Sequence, residues 1–282
     1  MSLVLFDAPG PRARRRVTIW SAVAGVVIAA LLVLAAVRLN QRGIFDADRW
    51  DIFTEDTATW EALFRRGLLA TLRAAALATV IAMPAGALLA IARMSESRWV
   101  RSTAAVWIEA FRGLPVVLLM FFLALGFDFS IFNAVVGGLV LYNTAVFAEI
   151  LRAGLLSLPG GQREAALAIG LTTGQALRLI LLPQAIRRML PSLVSQVVVL
   201  LKDTSLGFIV GYVELLRVNR ELRDFFGSRY IFSLFLVTAV IYIGVNFALS
   251  RVAVYLERRG TAKAAGGVST MQGAAGADTG GA

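Results

Sequence analysis

Six apolar runs of 21 to 26 residues set the strongest limit on the fold of this 282-residue chain. The hydrocarbon core of a bilayer is about 30 Å thick, and one helical crossing needs roughly 20 apolar residues. Each run is therefore long enough to cross a membrane once. The runs cover residues 17–37, 68–92, 102–127, 129–151, 192–213 and 230–250. They predict an all-α integral membrane protein with six spans, the second of which is kinked at Pro84.

The composition supports this class and excludes several others. Hydrophobic residues make up 58% of the chain and charged residues only 16%, whereas an ordinary soluble domain has about 25% charged residues. The chain has no cysteine and no histidine, which excludes disulfides, thiolate nucleophiles, Cys/His zinc sites and histidine general bases. No nucleophile and base stand out as a pair, so a membrane enzyme is disfavoured. We expect no catalytic residue, no metal site and no cofactor bound by this chain.

The first apolar run follows a cluster of arginines, as a cleaved signal peptide would. A signal peptide, however, has an apolar region of about 7–15 residues, and residues 17–37 form a run of 21. We therefore expect this helix to be retained. The segment 39–61 contains six acidic residues and no long apolar run, so it is predicted to be a polar loop outside the membrane.

The net charge of +10 is best explained by membrane topology, because the basic residues flank the apolar runs. With both termini in the cytoplasm, 16 Lys and Arg residues lie on the inner side and nine on the outer side. This bias is the one that orients membrane proteins. It predicts a multi-pass protein of the cell membrane with both termini cytoplasmic, and no nucleic acid partner.

The segment 157–190, between the fourth and fifth runs, is apolar enough to fold but is interrupted by glycine and proline. Residues 163–169 suit a short helix, Gly170 can supply a turn, and Thr172 or Thr173 can cap a second helix. Pro183 is expected to limit that second helix at its end. Two short helices would then form a compact cytoplasmic structure. From these residues alone, a surface hairpin that packs on its own membrane domain explains the segment equally well.

The same segment carries a family signature. Glu164, Ala165 and Ala166 are followed at fixed spacings by Gly170, Ile180 and the pair Leu182 and Pro183. This pattern resembles the EAA loop of the permease subunits of ATP-binding-cassette (ABC) importers. The resemblance implies that the loop is a coupling helix inserted into the ATP-hydrolysing subunit. It further implies that Glu164 pairs with a basic group or helix end there, Gly170 permits the turn, and Ala165, Ala166 and Ile169 form the contact face.

Three further strings resemble the polar-amino-acid branch of these permeases, the His/Glu/Gln/Arg group. They are FRGLP at 111–115, AE at 148–149 with RAG at 152–154, and KDTSL at 202–206. The resemblance covers about residues 62–255 and is greatest to glutamate-uptake permeases. It implies the transmembrane domain of a type I ABC importer, with a five-helix core and one extra N-terminal helix.

These observations predict three parts of the chain. Residues 1–61 form a cytoplasmic segment, the extra helix and the external loop; residues 62–256 form the permease domain with the coupling loop 157–190. Residues 257–282 are mostly small and polar without apolar periodicity, and are predicted to be a disordered cytoplasmic tail.

Charged residues within the spans are candidates for a substrate pathway, because a charge at the bilayer centre is costly unless it meets a partner, water or substrate. Lys202 and Asp203 lie near the middle of the fifth run, beside Thr204 and Ser205. They could bind the carboxylate and ammonium of an amino acid if the helix is locally broken, or they could form structural ion pairs between helices.

Two acidic residues have an arginine three positions later, a spacing that favours pairs within one helix. Glu149 precedes Arg152 and Glu109 precedes Arg112. Structural pairing is the favoured role for Glu149, whereas the neighbouring glycine and proline could instead expose Arg112 to a substrate carboxylate. Arg73 is interpreted as a residue that extends its charge to the membrane interface.

The leading hypothesis is the transmembrane permease subunit of an importer for a polar amino acid, with glutamate as the best candidate. The chain has no GxxxxGK[ST] phosphate loop, so ATP and Mg²⁺ would be bound by a separate ATPase subunit. The resemblance implies ABC ATPase subunits, an extracytoplasmic solute-binding protein and a second permease, identical or related, as partners. The alternative is an ion-coupled amino-acid carrier in which Glu149 or Asp203 is a proton or sodium site.

Overall fold

The computed structural model of the chain describes residues 10–276, with side-chain surroundings up to residue 255 except residue 253. Every regular element in this range is helical. In chain order the helices are α1 (Pro11–Gln41), α2 (Thr57–Glu61), α3 (Leu69–Arg93), α4 (Arg98–Gly113), α5 (Val116–Gly126), α6 (Ile131–Leu156), α7 (Gly160–Ala168), α8 (Thr173–Ala176), α9 (Leu182–Asp203), α10 (Gly207–Val210), α11 (Leu215–Phe226) and α12 (Ile231–Gly276). Among the connections are two π-helical stretches, Ala62–Leu68 and Leu177–Leu181, and a 3-10 turn at Thr204–Leu206.

Five continuous helical stretches are long and apolar enough to cross a membrane. They correspond to five of the six predicted runs. The run 102–127 is different, because it consists of α4 and α5, which meet at a bend of 98°. Pro115 lacks a backbone N–H and holds Leu114 in an extended conformation with ψ 136°. Counted as one broken span, the pair brings the total to the predicted six. Pro84, by contrast, lies within the continuous helix α3.

Helix α6 lies at the centre of the membrane domain and packs against α3, α4, α5 and α9. Glycines permit the close approach: a Cβ added to Gly86 would lie 2.7 Å from the Cβ of Phe147. A Cβ on Gly138 would lie 2.9 Å from the backbone nitrogen of Met120. Small residues at such contacts stabilise helix association in membranes, because van der Waals packing replaces the hydrophobic driving force there.

Helix α1 contains no buried residue. It therefore lies apart from the core formed by the other membrane helices, as expected for an extra helix outside a five-helix core. Most of the N-terminal segment predicted before this helix falls in residues 1–9, outside the described range.

The acidic segment 39–61, predicted as a polar loop, has more structure than expected. It contains 3-10 turns at Ala47–Arg49 and Asp51–Phe53 and the helix α2. Trp60 donates its indole N–H to the carbonyl of Phe53 at 2.8 Å, and both rings pack on a small cluster of Leu63, Leu215 and Val218. The aromatic residues between the acidic ones thus give the segment its own apolar contacts with α11.

The disordered tail predicted for residues 257–282 stays a prediction. Helix α12 extends to Gly276. The side chains from residue 256 onward and the whole of residues 277–282 lie outside the described part.

Candidate coupling loop and substrate pathway

The segment 157–190 forms the compact helical structure that its residues predict. Helix α7 ends next to Gly170, whose φ of +86° is the left-handed conformation that glycine adopts without strain. Thr172 then caps α8: its hydroxyl accepts from the backbone N–H of Gln175 at 3.3 Å, and the Gln175 side chain accepts from the Thr172 N–H at 2.9 Å. The predicted turn and cap are both confirmed.

The predicted role of Pro183 as a helix stop is wrong. Pro183 is the second residue of α9, and the chain is helical on both sides of it. The π-helical stretch Leu177–Leu181 immediately precedes it. A π turn widens the hydrogen-bonding ring, which relieves the conflict between the proline ring and the preceding carbonyls. The proline therefore joins the loop to the long helix.

The loop is attached to its own membrane domain on one side. Arg188 donates to the carbonyl of Ser157 at 2.9 Å, and a cluster of Leu155, Leu177 and Ala185 lies beneath the loop. Ile169 is 76% exposed and Leu179 is 66% exposed. The loop is thus held against its own domain and presents exposed apolar side chains.

The proposed contact residues of the EAA signature do not share one face. Glu164 and Ala165 are exposed beside the exposed Ile169, whereas Ala166 is buried at 2% exposure. Ala166 therefore supports the turn from within, where its carbonyl accepts from the Leu171 N–H at 3.2 Å. Ala166 is thus covered by its own chain, while Glu164, Ala165 and Ile169 are open, and the contact face itself stays a prediction.

Three charged residues meet near the end of α6. Arg152 makes a two-atom contact with Glu149, at 2.5 Å from Nη2 and 3.0 Å from Nε, which confirms the predicted pair. Arg112 does not pair with Glu109; its Nη1 lies 3.8 Å from the Glu149 carboxylate. Helix α4 packs against α6, and one carboxylate there faces two guanidinium groups.

Lys202 and Asp203 lie where α9 changes its geometry, as expected for a local break. Helix α9 ends at Asp203 and a 3-10 turn follows. The Thr204 hydroxyl donates to the Leu201 carbonyl at 2.6 Å, and the Ser205 hydroxyl donates to the Lys202 carbonyl at 2.7 Å.

The two charges diverge rather than forming one zwitterion site. Lys202 is exposed and lines an open cavity, whereas Asp203 is half-buried and does not line it. Within the described range, no Lys or Arg side chain forms an ion pair with Asp203, and no carboxylate forms one with Lys202. Arg112, a candidate partner for Asp203, is next to Glu149 instead. Arg73 is exposed on α3.

Glu214, which the sequence analysis did not single out, is fully buried. It caps α11 by accepting from the backbone N–H groups of Leu216 and Arg217, both at 2.9 Å. It also accepts from the Tyr242 hydroxyl at 2.8 Å. Burial raises the pKa of its carboxyl, and these hydrogen bonds oppose that shift. Its position could have indicated this role, because Glu214 directly follows the apolar run 192–213 and precedes the amphipathic segment that forms α11, which is where a helix cap is expected.

Comparisons with known proteins agree with this architecture. The family described as binding-protein-dependent transport system inner membrane component matches residues 82–261. The glutamate transport system permease protein GluD of Corynebacterium glutamicum is 42% identical over 229 residues, covering 78% of this chain and 83% of GluD. The probable glutamine ABC transporter permease protein GlnP of Bacillus subtilis is 37% identical over 204 residues, covering 69% and 92%.

A solved structure shows the same fold. A chain in the crystal structure of an amino acid ABC transporter with histidines superimposes with a TM-score of 0.64 and is 30% identical. The match covers 72% of this chain and 96% of that one. The match leaves about a quarter of this chain outside the shared fold.

Proposed function

The chain belongs to the family of binding-protein-dependent transport system inner membrane components, and on this premise we propose that it carries a polar amino acid, with glutamate first, through the cell membrane. It is a multi-pass transport subunit. The substrate is suggested by the relatives, whose names specify glutamate and glutamine transport. They lend no support to an ion-coupled carrier.

The observation that carries the proposed role as a transport subunit coupled to an ATPase is the compact loop formed by α7, Gly170 and α8. It is fixed to α6 and α9 from beneath and presents exposed Ile169 and Glu164 at its surface. An exposed apolar tip with a charged rim has the form of a protein–protein contact. The proposed coupling residues are Glu164, Ala165, Ile169 and Gly170 at the surface, with Ala166 and Pro183 supporting them.

The partners follow from this role. Two ABC ATPase subunits would bind ATP and Mg²⁺ and receive the coupling loops, so that this chain itself needs no cofactor. An extracytoplasmic solute-binding protein would deliver the amino acid, and a second permease, a copy or a related chain, would complete the pathway. Closure of the ATPases would draw the two loops together and change the side of the membrane to which the pathway opens.

Both termini are placed in the cytoplasm in this proposal. The excess of Lys and Arg on the side of the membrane that carries the loop 157–190 supports this orientation, because such an excess is typical of the cytoplasmic side. The orientation also places the loop on the side on which ATP is available.

The proposed pathway residues have different roles. Lys202 and Ser205 line a cavity, while Asp203 and Thr204 form the break beside it. Arg112 on α4 and Glu149 on α6 are paired between the two helices, so they would hold the pathway wall in position rather than bind substrate.

Uptake by the assembled importer tests the proposal. The chain would be reconstituted with its ATPase and cognate binding protein, and uptake of labelled glutamate would be measured against unlabelled glutamate, glutamine, arginine and histidine. Glutamate is expected to be the strongest competitor. No uptake of any of the four would refute the proposed substrate class.

A further inference from the structure

A cleft of about 310 Å³ lies between the membrane helices α3, α9 and α12. On α3 its lining residues are Leu72, Ala75, Ala76, Thr79 and Val80. Their spacing of three and four positions places them on one face of the helix. Two aliphatic residues four positions apart on α9 and two on α12 form the other walls. Three helices of this chain thus leave an open space between them.

The lining of the cleft is suited to a hydrocarbon. Thr79 is its one polar residue among those described, and the Thr79 hydroxyl already donates to the Ala75 carbonyl at 2.7 Å. Atoms that line an empty cleft lose their contact partners, which favours an occupant. Leu72 and Val80 are eight positions apart, or about 12 Å along the helix. Part of one extended acyl chain covers that length.

Arg73 lies at the edge of the same face of α3, three positions before Ala76 and seven before Val80. It is the one charged residue in the apolar run 68–92. Its side chain is exposed and forms neither an ion pair nor a hydrogen bond with another described residue. A charge within a membrane run is costly unless it meets a partner. The guanidinium therefore needs an anion that this part of the chain does not supply.

The depth of Arg73 suits a lipid phosphate. It is five positions inside the start of its run, which corresponds to about 7.5 Å, and a long arginine side chain can extend from there to the membrane interface. Guanidinium groups bind phosphates through two parallel hydrogen bonds. With both termini cytoplasmic, this end of α3 lies on the outer side of the membrane.

Charge distinguishes a lipid from another helix of this chain as the occupant. Helix α1 is apolar and has no buried residue, so it is available to cover the cleft. It contains no Asp or Glu between Pro11 and Gln41, however, and cannot neutralise Arg73. A phospholipid supplies the anion and the hydrocarbon in one molecule.

From these observations we infer that Arg73 and the cleft together bind an anionic glycerophospholipid of the outer leaflet. The guanidinium donates to the phosphodiester, and one acyl chain fills the cleft along α3. Phosphatidylglycerol neutralises Arg73, whereas the choline cation of phosphatidylcholine leaves the site with a net positive charge. Because the cleft is shared by α3, α9 and α12, the bound lipid holds these three helices together. This site is separate from the proposed transport of an amino acid and does not depend on the substrate.

Native mass spectrometry of the purified permease–ATPase complex tests the headgroup contact. The complex would be stripped of lipid and titrated with phosphatidylglycerol or with phosphatidylcholine of the same chain length. Wild type is expected to bind the first phosphatidylglycerol at least about tenfold more tightly. Arg73→Gln should weaken that binding about tenfold or more and abolish the preference, because it removes a charge-assisted hydrogen bond. Arg73→Lys should retain the preference, as should Arg65→Gln, which removes an exposed arginine paired with Glu61.

A pair of tryptophan variants tests the acyl chain. Ala76→Trp fills the cleft and should weaken phosphatidylglycerol binding about as much as Arg73→Gln does. Leu77→Trp places the same ring on α3 outside the lining and should leave the binding unchanged. Copurification of the ATPase with each variant controls for assembly.

Four outcomes would overturn this lipid site. They are equal binding of the two lipids by wild type, unchanged binding by Arg73→Gln or Ala76→Trp, and equal effects of the two tryptophan variants. The fourth is displacement of the lipid by inorganic phosphate, which would indicate an anion site without a hydrocarbon part. Loss of the second permease from the Ala76→Trp complex, with lipid binding unchanged, would assign the cleft to a contact between subunits.

Discussion

The hydroxyl of Tyr242 on α12 donates a 2.8 Å hydrogen bond to the buried carboxylate of Glu214, which caps the start of α11. Nearby, the Thr71 hydroxyl of α3 accepts from the Leu215 N–H at 3.2 Å. The start of α11 is thus attached to α3 and α12 together. Since Tyr242 also lines the cavity that contains Lys202, the same bond fixes one wall of that cavity.

Tyr242→Phe should destabilise the protein more than Tyr212→Phe does. The first change removes a hydrogen bond to a charged group, which contributes about 1.5–3 kcal/mol, and the second removes a neutral bond of about 0.5–1.5 kcal/mol. The Tyr212 hydroxyl donates to the Ala70 carbonyl at 2.9 Å, so the pair is matched in chemistry. Thermal unfolding of both variants in the same detergent measures the difference. Equal midpoints would contradict the importance of the Glu214 cap.

Gly170→Ala should weaken copurification of the ATPase, whereas Gly174→Ala should not. A Cβ would meet no heavy atom within 4 Å at either position, but only Gly170 of the two has a positive φ, +86°. An L residue held in this conformation costs roughly 1–2 kcal/mol, so alanine should distort the turn that presents Ile169.

A stronger variant, Glu164→Lys, should abolish transport while the permease still inserts. Normal ATPase binding and normal uptake in both Gly170→Ala and Glu164→Lys would contradict the coupling role of the loop 157–190.

The orientation can be tested by labelling, because the chain has no cysteine. Phe225, at the end of α11, is 81% exposed, and Ser97, before α4, is also exposed. An impermeant maleimide added to intact cells should react with Phe225→Cys and should not react with Ser97→Cys until the cells are opened. The opposite pattern would invert the topology derived from the basic residues.

Asp203→Asn should assemble with its ATPase and still transport poorly. No basic side chain of the described chain pairs with Asp203, so a structural ion pair within this subunit does not explain its position. Asp203 lies at the break beside the cavity and outside its wall, so the expected loss of transport efficiency of about tenfold or more depends on the substrate ammonium reaching this carboxylate as it passes along the pathway. Normal uptake, or restoration by a second change at Lys202 or Arg112, would assign Asp203 to the scaffold.

The membrane spans could be predicted because their cause is local. A run of 20 apolar residues has no comparable alternative to crossing the bilayer as a helix. The turn at Gly170 and the cap at Thr172 were predictable for the same reason, since both depend on single residues and their immediate neighbours.

The features that sequence reasoning missed depend on contacts between distant segments. Arg112 was expected to pair with Glu109 on its own helix, but the packing of α4 against α6 places it beside Glu149. Glu214 is explained by Tyr242, 28 positions away. In both cases a local preference was overridden by packing that no pattern in the sequence specifies. Pro183 is different, since the π stretch that precedes it is its immediate neighbour in the chain.

The energy source for uptake tests the central claim most directly. Proteoliposomes containing this chain and its ATPase would hold ATP inside, with the binding protein and labelled glutamate added on the other side. We expect uptake that requires both ATP and the binding protein and is unchanged by a protonophore. Uptake driven by a proton or sodium gradient without ATP, or abolished by the protonophore while ATP is present, would contradict the assignment as an ATP-driven permease.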